Sequence, residues 1–367
     1  MNIKWLKHIG MAKTRKNKVK TLIMKPIMTN DQIKAREGTY FDGKDVQIIN
    51  YNADIYAADS EATGGKRIIA KFRKGVFPKD ITDLAWDAFY RASAPSRSRG
   101  AAGGPIDPKS AYWKKRKPVE VDKWSARYMQ NGKVSKMRVN NNVFSSVLGY
   151  FEKTPFMGLP CRLTSYTQTY FKGYTKGIPF IQAIDQQFKE LTPDRHASQL
   201  KRNRSNPTYQ IADTAFSSVT INRNFRTALH QDAGDYKDGY GNLSVIERGK
   251  YHGGETLFPQ YGIGFDLRSG DFIAMDVHEW HCNTALYETP EDKDFNKTLP
   301  VIYTNSDTTG TMGSKFPFTR ISFVCYLREK LHDCDPKDTQ KYYTRIKFDT
   351  KKGSLKLKTR KKEKVDE

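Results

Sequence analysis

The stretch Val219-Thr220-Ile221-Asn222-Arg223-Asn224-Phe225-Arg226-Thr227-Ala228-Leu229-His230-Gln231-Asp232 decides how this chain is read. Side chains alternate along an extended strand. Val219, Ile221, Phe225 and Leu229 therefore fall on one face, and Asn222, Asn224, Arg226 and His230 on the other. If His230 points into a cavity, Asn222, Asn224 and Arg226 are candidates to line it and meet a substrate. The plainer alternative is an amphipathic edge strand with its polar residues in water. His230 and Asp232 stand two apart, which places an imidazole and a carboxylate on the same side of the strand. One distant histidine would complete a facial triad. Two imidazoles and one carboxylate leave three positions open on an octahedral metal, enough for a non-haem Fe(II) oxygenase to hold a chelating keto acid and O2 together.

Downstream, His252, His278 and His281 compete for the third ligand. Residues 271–275 (Asp-Phe-Ile-Ala-Met) read as a strand, and Trp280-His281-Cys282-Asn283-Thr284 follows the turn after it. Further on, residues 320–327 read as a strand with Arg320, Ser322, Val324 and Tyr326 on one face. A guanidinium and a hydroxyl two residues on can serve the same carboxylate. Arg320 and Ser322 are thus expected to anchor the far carboxylate of 2-oxoglutarate, with Arg328 as the alternative. A lone His-x-Asp occurs by chance in many proteins, so the weight lies in the ordered set.

Around this core the pattern changes along the chain. Residues 46–51 and 67–72 read as short strands, and residues 79–89 carry apolar residues at helical spacing after Pro78. Residues 96–105 are small, basic and aperiodic. They suit a flexible surface loop or a basic lid over the site. Residues 178–191 form an amphipathic helical pattern closed by Thr192-Pro193, and residues 196–206 read as a polar, basic loop. From 215 to about 326 the chain is strands and glycine-marked turns. Residues 288–316 must be an excursion that returns to the strands. The expected architecture is α+β, a jelly-roll core supported by helices. Three segments are expected: a flexible basic leader over 1–35, one domain over 36–344 with its core at about 145–330, and a basic tail over 345–367.

With 367 residues, 37% of them hydrophobic, the chain can bury a sizeable core. Sixty-three Lys and Arg against 40 Asp and Glu give a formal charge of +23, which favours a polyanionic partner such as nucleic acid. Some of that charge sits in the ends, around residues 13–20 and in eight Lys or Arg between residues 351 and 364. The four cysteines show no Cys-x-x-Cys spacing, so no structural zinc is indicated and a reducing compartment is the default. No apolar run is long enough to span a membrane, and the first eleven residues do not make a signal peptide. Met11 is an alternative start.

The ordered set resembles the TET/JBP family of Fe(II)- and 2-oxoglutarate-dependent dioxygenases, especially its viral, protist and fungal branches. The matching stretches are residues 214–222, 229–235, 253–276, 281–284 and 320–326. The resemblance implies a double-stranded β-helix, with His230, Asp232 and His281 as iron ligands, Arg320 as keto-acid anchor and Ser322 assisting it. It implies Fe(II), 2-oxoglutarate and O2 as the reactive set and the 5-methyl group of a DNA pyrimidine as target, with the nucleotide flipped into the cavity. Asp235 matches a position that contacts the base in some relatives. A carboxylate there can accept from cytosine N4, so 5-methylcytosine is the expected base, giving 5-hydroxymethylcytosine. The alternatives are thymine, giving 5-hydroxymethyluracil, an RNA substrate, or an inactive basic nucleic-acid-binding barrel. The Cys-rich zinc module of animal TET enzymes is absent, so their way of gripping DNA does not carry over. A monomer in the nucleus or the host cytoplasm, without a membrane, completes the expectation.

Overall fold

The computed structural model describes residues 18–62, 64–300 and 318–354. Most of the first basic run, the end of the expected excursion and most of the basic tail therefore lie outside the described residues. The N-terminal part supplies β1 (Lys20–Met24), helix α1 (Asn30–Ala35), β2 (Gln47–Ile49), β3 (Ala53–Ala58) and β4 (Lys66–Arg73). Thr29 and Gln32 form a capping box that starts α1, and the helix buries Ile33 completely. Strand β1 pairs in parallel with β3, and its Leu22 and Met24 pack on the core. The expectation of a flexible leader to residue 35 is corrected from Lys20 onward, because these apolar side chains have a sheet to join.

Helix α2 (Lys79–Phe89) turns Ile81, Ala85, Ala88 and Phe89 inward, as its spacing predicts. A short β5 (Pro95–Ser96) leads to a 3-10 turn at Gly100–Gly103, α3 (Ala111–Arg116) and a separate three-stranded sheet of β6 (Pro118–Val119), β7 (Arg127–Gln130) and β8 (Lys133–Val134). Then come β9 (Val143–Phe151), β10 (Arg162–Leu163), α4 (Ser165–Thr169) and α5 (Phe171–Leu191). Phe180, Ile181, Ile184 and Phe188 of α5 are fully buried, each contributing about 1.5–3 kcal/mol relative to exposure. The loop expected over 196–206 is instead α6 (Pro193–Arg204), with Pro193 in its first turn. Its inner face is polar: His196 meets Asp185 at 3.1 Å, while Gln199 donates to the Ala215 carbonyl and Asn203 to those of Thr214 and Phe216. An apolar period is absent because hydrogen bonds hold that face.

The remaining elements include β11 (Ser218–Arg223), β12 (Gly241–Arg248), β13 (Thr256–Phe258), β14 (Ile263–Phe265), β15 (Phe272–Met275), β16 (Cys282–Asn283), α7 (Pro290–Lys297), β17 (Thr319–Tyr326), α8 (Pro336–Ile346) and the pair β18 (Phe348–Asp349) and β19 (Gly353–Ser354). A large mixed sheet runs β1-β3-β4-β15-β12-β17-β11-β9-β10, and a smaller one runs β16-β13-β14-β2. One face of the large sheet packs on α2 and α5 through Ile221, Phe272 and Phe323. The other face meets the small sheet through Val245, Phe258, Phe265 and Ile273. The fold is α+β, but the expected double-stranded β-helix or jelly roll is corrected: the described residues form no closed barrel. The N-terminal strands extend both sheets sideways, β1 and β2 each adding in parallel, so both sheets end in open edges.

The core also reaches past residue 344, with Phe348 buried edge-on against Phe171. Cys161 and Cys334 form a disulfide that ties the approach to β10 to the approach to α8, which differs from the reduced state expected. Cys282 and Cys325 are free and buried. No helix among the described residues is long and apolar enough to cross a membrane.

Candidate metal centre and cavity

Strand β11 stops at Arg223, and Asn224 takes a left-handed conformation at φ 43°. This break shifts the alternation. Phe225 and Thr227 join Asn222 in the cavity wall, whereas Asn224 and Arg226 leave it. The expectation that Asn224 and Arg226 line the cavity is thus corrected. Arg226 lies over the Tyr40 ring and donates to the Phe41 carbonyl. Asn224 braces β17 instead, accepting from the Arg320 amide at 2.7 Å and donating to the Phe318 carbonyl at 2.9 Å.

Beyond the break, Ala228 and Leu229 amides donate to Ala102 and Thr39 carbonyls, and His230 pairs with His281 as one antiparallel rung, both N–H···O distances being 3.0 Å. The two imidazoles therefore stand side by side, ring centres 4.3 Å apart. Nδ1 of His230 lies 2.8 Å from the Ala228 carbonyl and Nδ1 of His281 lies 2.9 Å from that of Glu279. Those carbonyls accept from Nδ1–H and leave both Nε2 lone pairs facing inward. Asp232, its amide bonded to the Val277 carbonyl, brings its carboxylate to 3.7 Å from one Nε2 and 3.8 Å from the other. All three donors lie within 4.8 Å of one another, the spacing a single chelated ion requires. Burial first, then the neighbouring His230, pushes the His281 imidazole down to about 4, so it is neutral and able to ligate. His278 turns to Asp276 and His252 to Asp292, each at 3.1 Å, so neither joins the group. The donor set fits Fe(II), with one carboxylate, two imidazoles and an open side.

The triad opens into a cavity of about 350 Å³ between the two sheets. At one end stand Arg320 and Ser322 of β17, both buried, with Thr256 and Asn283 across from them. The Arg320 guanidinium donates to the Gly254 carbonyl at 3.0 Å, but its buried Nε has no partner, a donor left over for an anion. Gly254 sits at φ +80°, and a Cβ there would lie 3.0 Å from that Nε. Leu243, Met275, Val324 and Phe225 supply apolar wall between the polar ends.

At the other end the backbone around Asp235 pairs with that around Arg328, the Tyr236 amide donating to the Leu327 carbonyl and the Glu329 amide to that of Gly234, and the Arg328 side chain makes a two-pronged ion pair with Glu152. That pairing occupies the guanidinium that was the alternative anchor. One enclosed oxygen of Asp235 has no partner, and burial followed by the nearby Asp232 raises its carboxyl pKa well above the usual range. Arg99, at the start of the 3-10 turn, also lines this end, and its enclosed Nε is unpaired. Sequence reasoning did not single out Arg99, Thr256, Asn283 or Tyr326 as site residues. The basic 96–105 stretch was the available signal for Arg99.

The family Tet_JBP, described as the oxygenase domain of the 2OGFeDO superfamily, matches residues 146–329, about half of the chain. The thymine dioxygenase JBP1 of Trypanosoma brucei brucei is 33% identical over 162 residues, covering 43% of this chain and 19% of that protein. The bifunctional helicase and thymine dioxygenase JBP2 of Leishmania infantum is 24% identical over 308 residues, covering 83% and 23%. The chain thus spans about a fifth of the length of these curated relatives. Among solved structures, NgTET1 in complex with 5mC DNA aligns with a TM-score of 0.45 at 9% identity, covering 87% of this chain and 99% of that one.

Proposed function

Because this chain belongs to the Tet_JBP family of 2OGFeDO oxygenase domains, we propose that it is an Fe(II)- and 2-oxoglutarate-dependent dioxygenase oxidising the 5-methyl group of a pyrimidine in DNA. Thymine is the favoured base. The observation that carries the reading is the convergence of His230, Asp232 and His281 with Arg320 and Ser322 on one cavity. Bound iron and keto acid would supply the oxidising chemistry that puts oxygen into a methyl C–H bond. The chain's own residues bind, orient and exclude water. His230, His281 and Asp232 hold the metal; Arg320 and Ser322 hold the far carboxylate; the apolar wall keeps water from the reacting methyl. Asn222 and Asp235, which line the cavity, would meet the base, and Asn224 acts as a positioning residue behind Arg320.

The preference for thymine replaces the expectation of 5-methylcytosine. It rests on the relatives, which are thymine dioxygenases. Asp235 does not select cytosine, since a carboxyl group can pair with the N3–H and O4 of thymine as well as with the N4–H and N3 of cytosine. The test is incubation with Fe(II), 2-oxoglutarate, O2 and duplex DNA containing both thymine and 5-methylcytosine, followed by mass spectrometry of nucleosides. Formation of 5-hydroxymethyluracil is expected. Product only from 5-methylcytosine would reverse the base assignment, and no oxidised base or succinate would end the dioxygenase reading.

A further inference from the structure

The segment over residues 97–141 holds twelve Lys or Arg against three Asp or Glu, a net +9 in 45 residues of a chain whose total is +23. It is folded. Trp113, Ile106 and Ala126 form a small core of their own, with Tyr112, Tyr128 and Val139 packed on it, and β6, β7 and β8 make a sheet separate from the two large ones. Charge on this frame is not neutralised from within. Of the three acids, Glu120 is taken by Arg127 and Arg138 at 3.4 and 3.6 Å. The seven lysines between residues 109 and 136 are all exposed, and no ion pair with an acid is found for any of them among the described residues. Crowding like charges on a rigid module costs stability unless a polyanion is present to neutralise them.

The module is also fastened to the cavity. Its neck, residues 98–102, lines the Asp235 end, and the Ala102 carbonyl accepts from the Ala228 amide two residues before the metal ligand His230. Asn141 ties neck to module, its side-chain amide donating to Gly103 and Pro105 carbonyls while its oxygen accepts from Trp113 Nε1 at 2.7 Å. Trp124 lies against Gly38, where a Cβ would meet its ring at 2.4 Å. A folded basic surface whose lysines have no acid partner among the described residues is therefore tied, through residues 98–102, to the Asp235 end of the cavity.

We propose that this module grips the sugar-phosphate backbone of duplex DNA beside the cavity and so positions the nucleotide to be oxidised. The assignment rests on the dioxygenase reading above for the identity of the polyanion. The test uses the full chain loaded with Fe(II) and 2-oxoglutarate without O2, a fluorescent thymine-containing duplex, and anisotropy across a salt series. Replacing Lys114, Lys115 and Lys117 together by Glu is expected to weaken binding about tenfold or more and to lower the log–log salt slope by about 3, near 0.9 for each lost phosphate contact. Replacing Lys172, Lys337 and Lys341, exposed lysines outside the module, by Glu is the control and should leave both nearly unchanged. The corresponding Gln triple in the module, with a melting curve, separates loss of grip from loss of fold. Equal losses from both Glu triples, or unchanged binding by the module triple, would overturn the proposal. The two readings fail separately. Base oxidation by wild type with an unaltered DNA KM in the module triple removes the grip and keeps the enzyme. Module-dependent binding without any base oxidation does the reverse.

Discussion

A methyl group at residue 254 would meet Leu286 Cδ2 at 2.7 Å and crowd Arg320, whose Nε and Cδ lie 3.0 and 3.3 Å from the added Cβ, at a backbone φ of +80°. Gly254→Ala should therefore raise the KM for 2-oxoglutarate by about tenfold, equivalent to about 1.4 kcal/mol, with little change in the metal requirement. An unchanged KM would show that Arg320 does not hold the keto acid. His230→Ala or Asp232→Ala should abolish turnover while the melting temperature stays within a few degrees of wild type, because each removes a donor that faces a cavity rather than a packed core. Retained turnover would refute the triad. These positions were readable in the sequence because period-two alternation places His230 with Asp232 and Arg320 with Ser322 on common faces. Asn224 and Arg226 were misplaced by the same rule. Asparagine tolerates the left-handed conformation; at Asn224 it brings Phe225 and Thr227 into the wall, and the original phase returns at His230 and Asp232.

Helix α6 shows why an element can escape a reading that relies on apolar period. Its buried positions are His196, Gln199 and Asn203, at helical spacing but polar, and each is satisfied by a specific partner. The helix is held by accepting groups of the 214–216 segment just before β11. Asn203→Leu should consequently cost more than its extra apolar volume returns. It would remove one of two donors from each carbonyl, since Thr214 keeps Gln210 Nε2 at 2.8 Å and Phe216 keeps the Ile211 amide at 2.9 Å, at about 0.5–1.5 kcal/mol for each lost bond, seen as a melting temperature lower by a few degrees. A neutral or stabilising result would mean that the Gln210 and Ile211 donors alone suffice for those carbonyls. By contrast, α2 was legible because Ile81, Ala85, Ala88 and Phe89 repeat at a spacing that a helix alone brings to one side.

At the scale of the molecule, the α+β class was legible and the closure was not. Pairings such as β1 with β3 and β2 with β14 join residues far apart in the chain and leave no local signature, so the open-edged sheets could not be read in advance. The Cys161–Cys334 crosslink likewise spans 173 residues without a recognisable spacing. Reduction, or Cys334→Ser, should lower stability by about 2–4 kcal/mol while leaving metal affinity intact, since neither cysteine lines the cavity. An unshifted unfolding midpoint on reduction would show that the bond does not form in solution.

The His230–His281 rung joins the segment after β11 to the strand entering the small sheet, and it places both imidazoles on a single pair of backbone hydrogen bonds. A cation held by the two rings is therefore also a clasp on the seam between the sheets. Ligation and local opening become thermodynamically linked, so adding a redox-inert divalent ion should slow deuterium uptake at the amides of residues 230 and 281 more than elsewhere. Uniform slowing across the chain, or none, would mean that the seam stays shut without its ion.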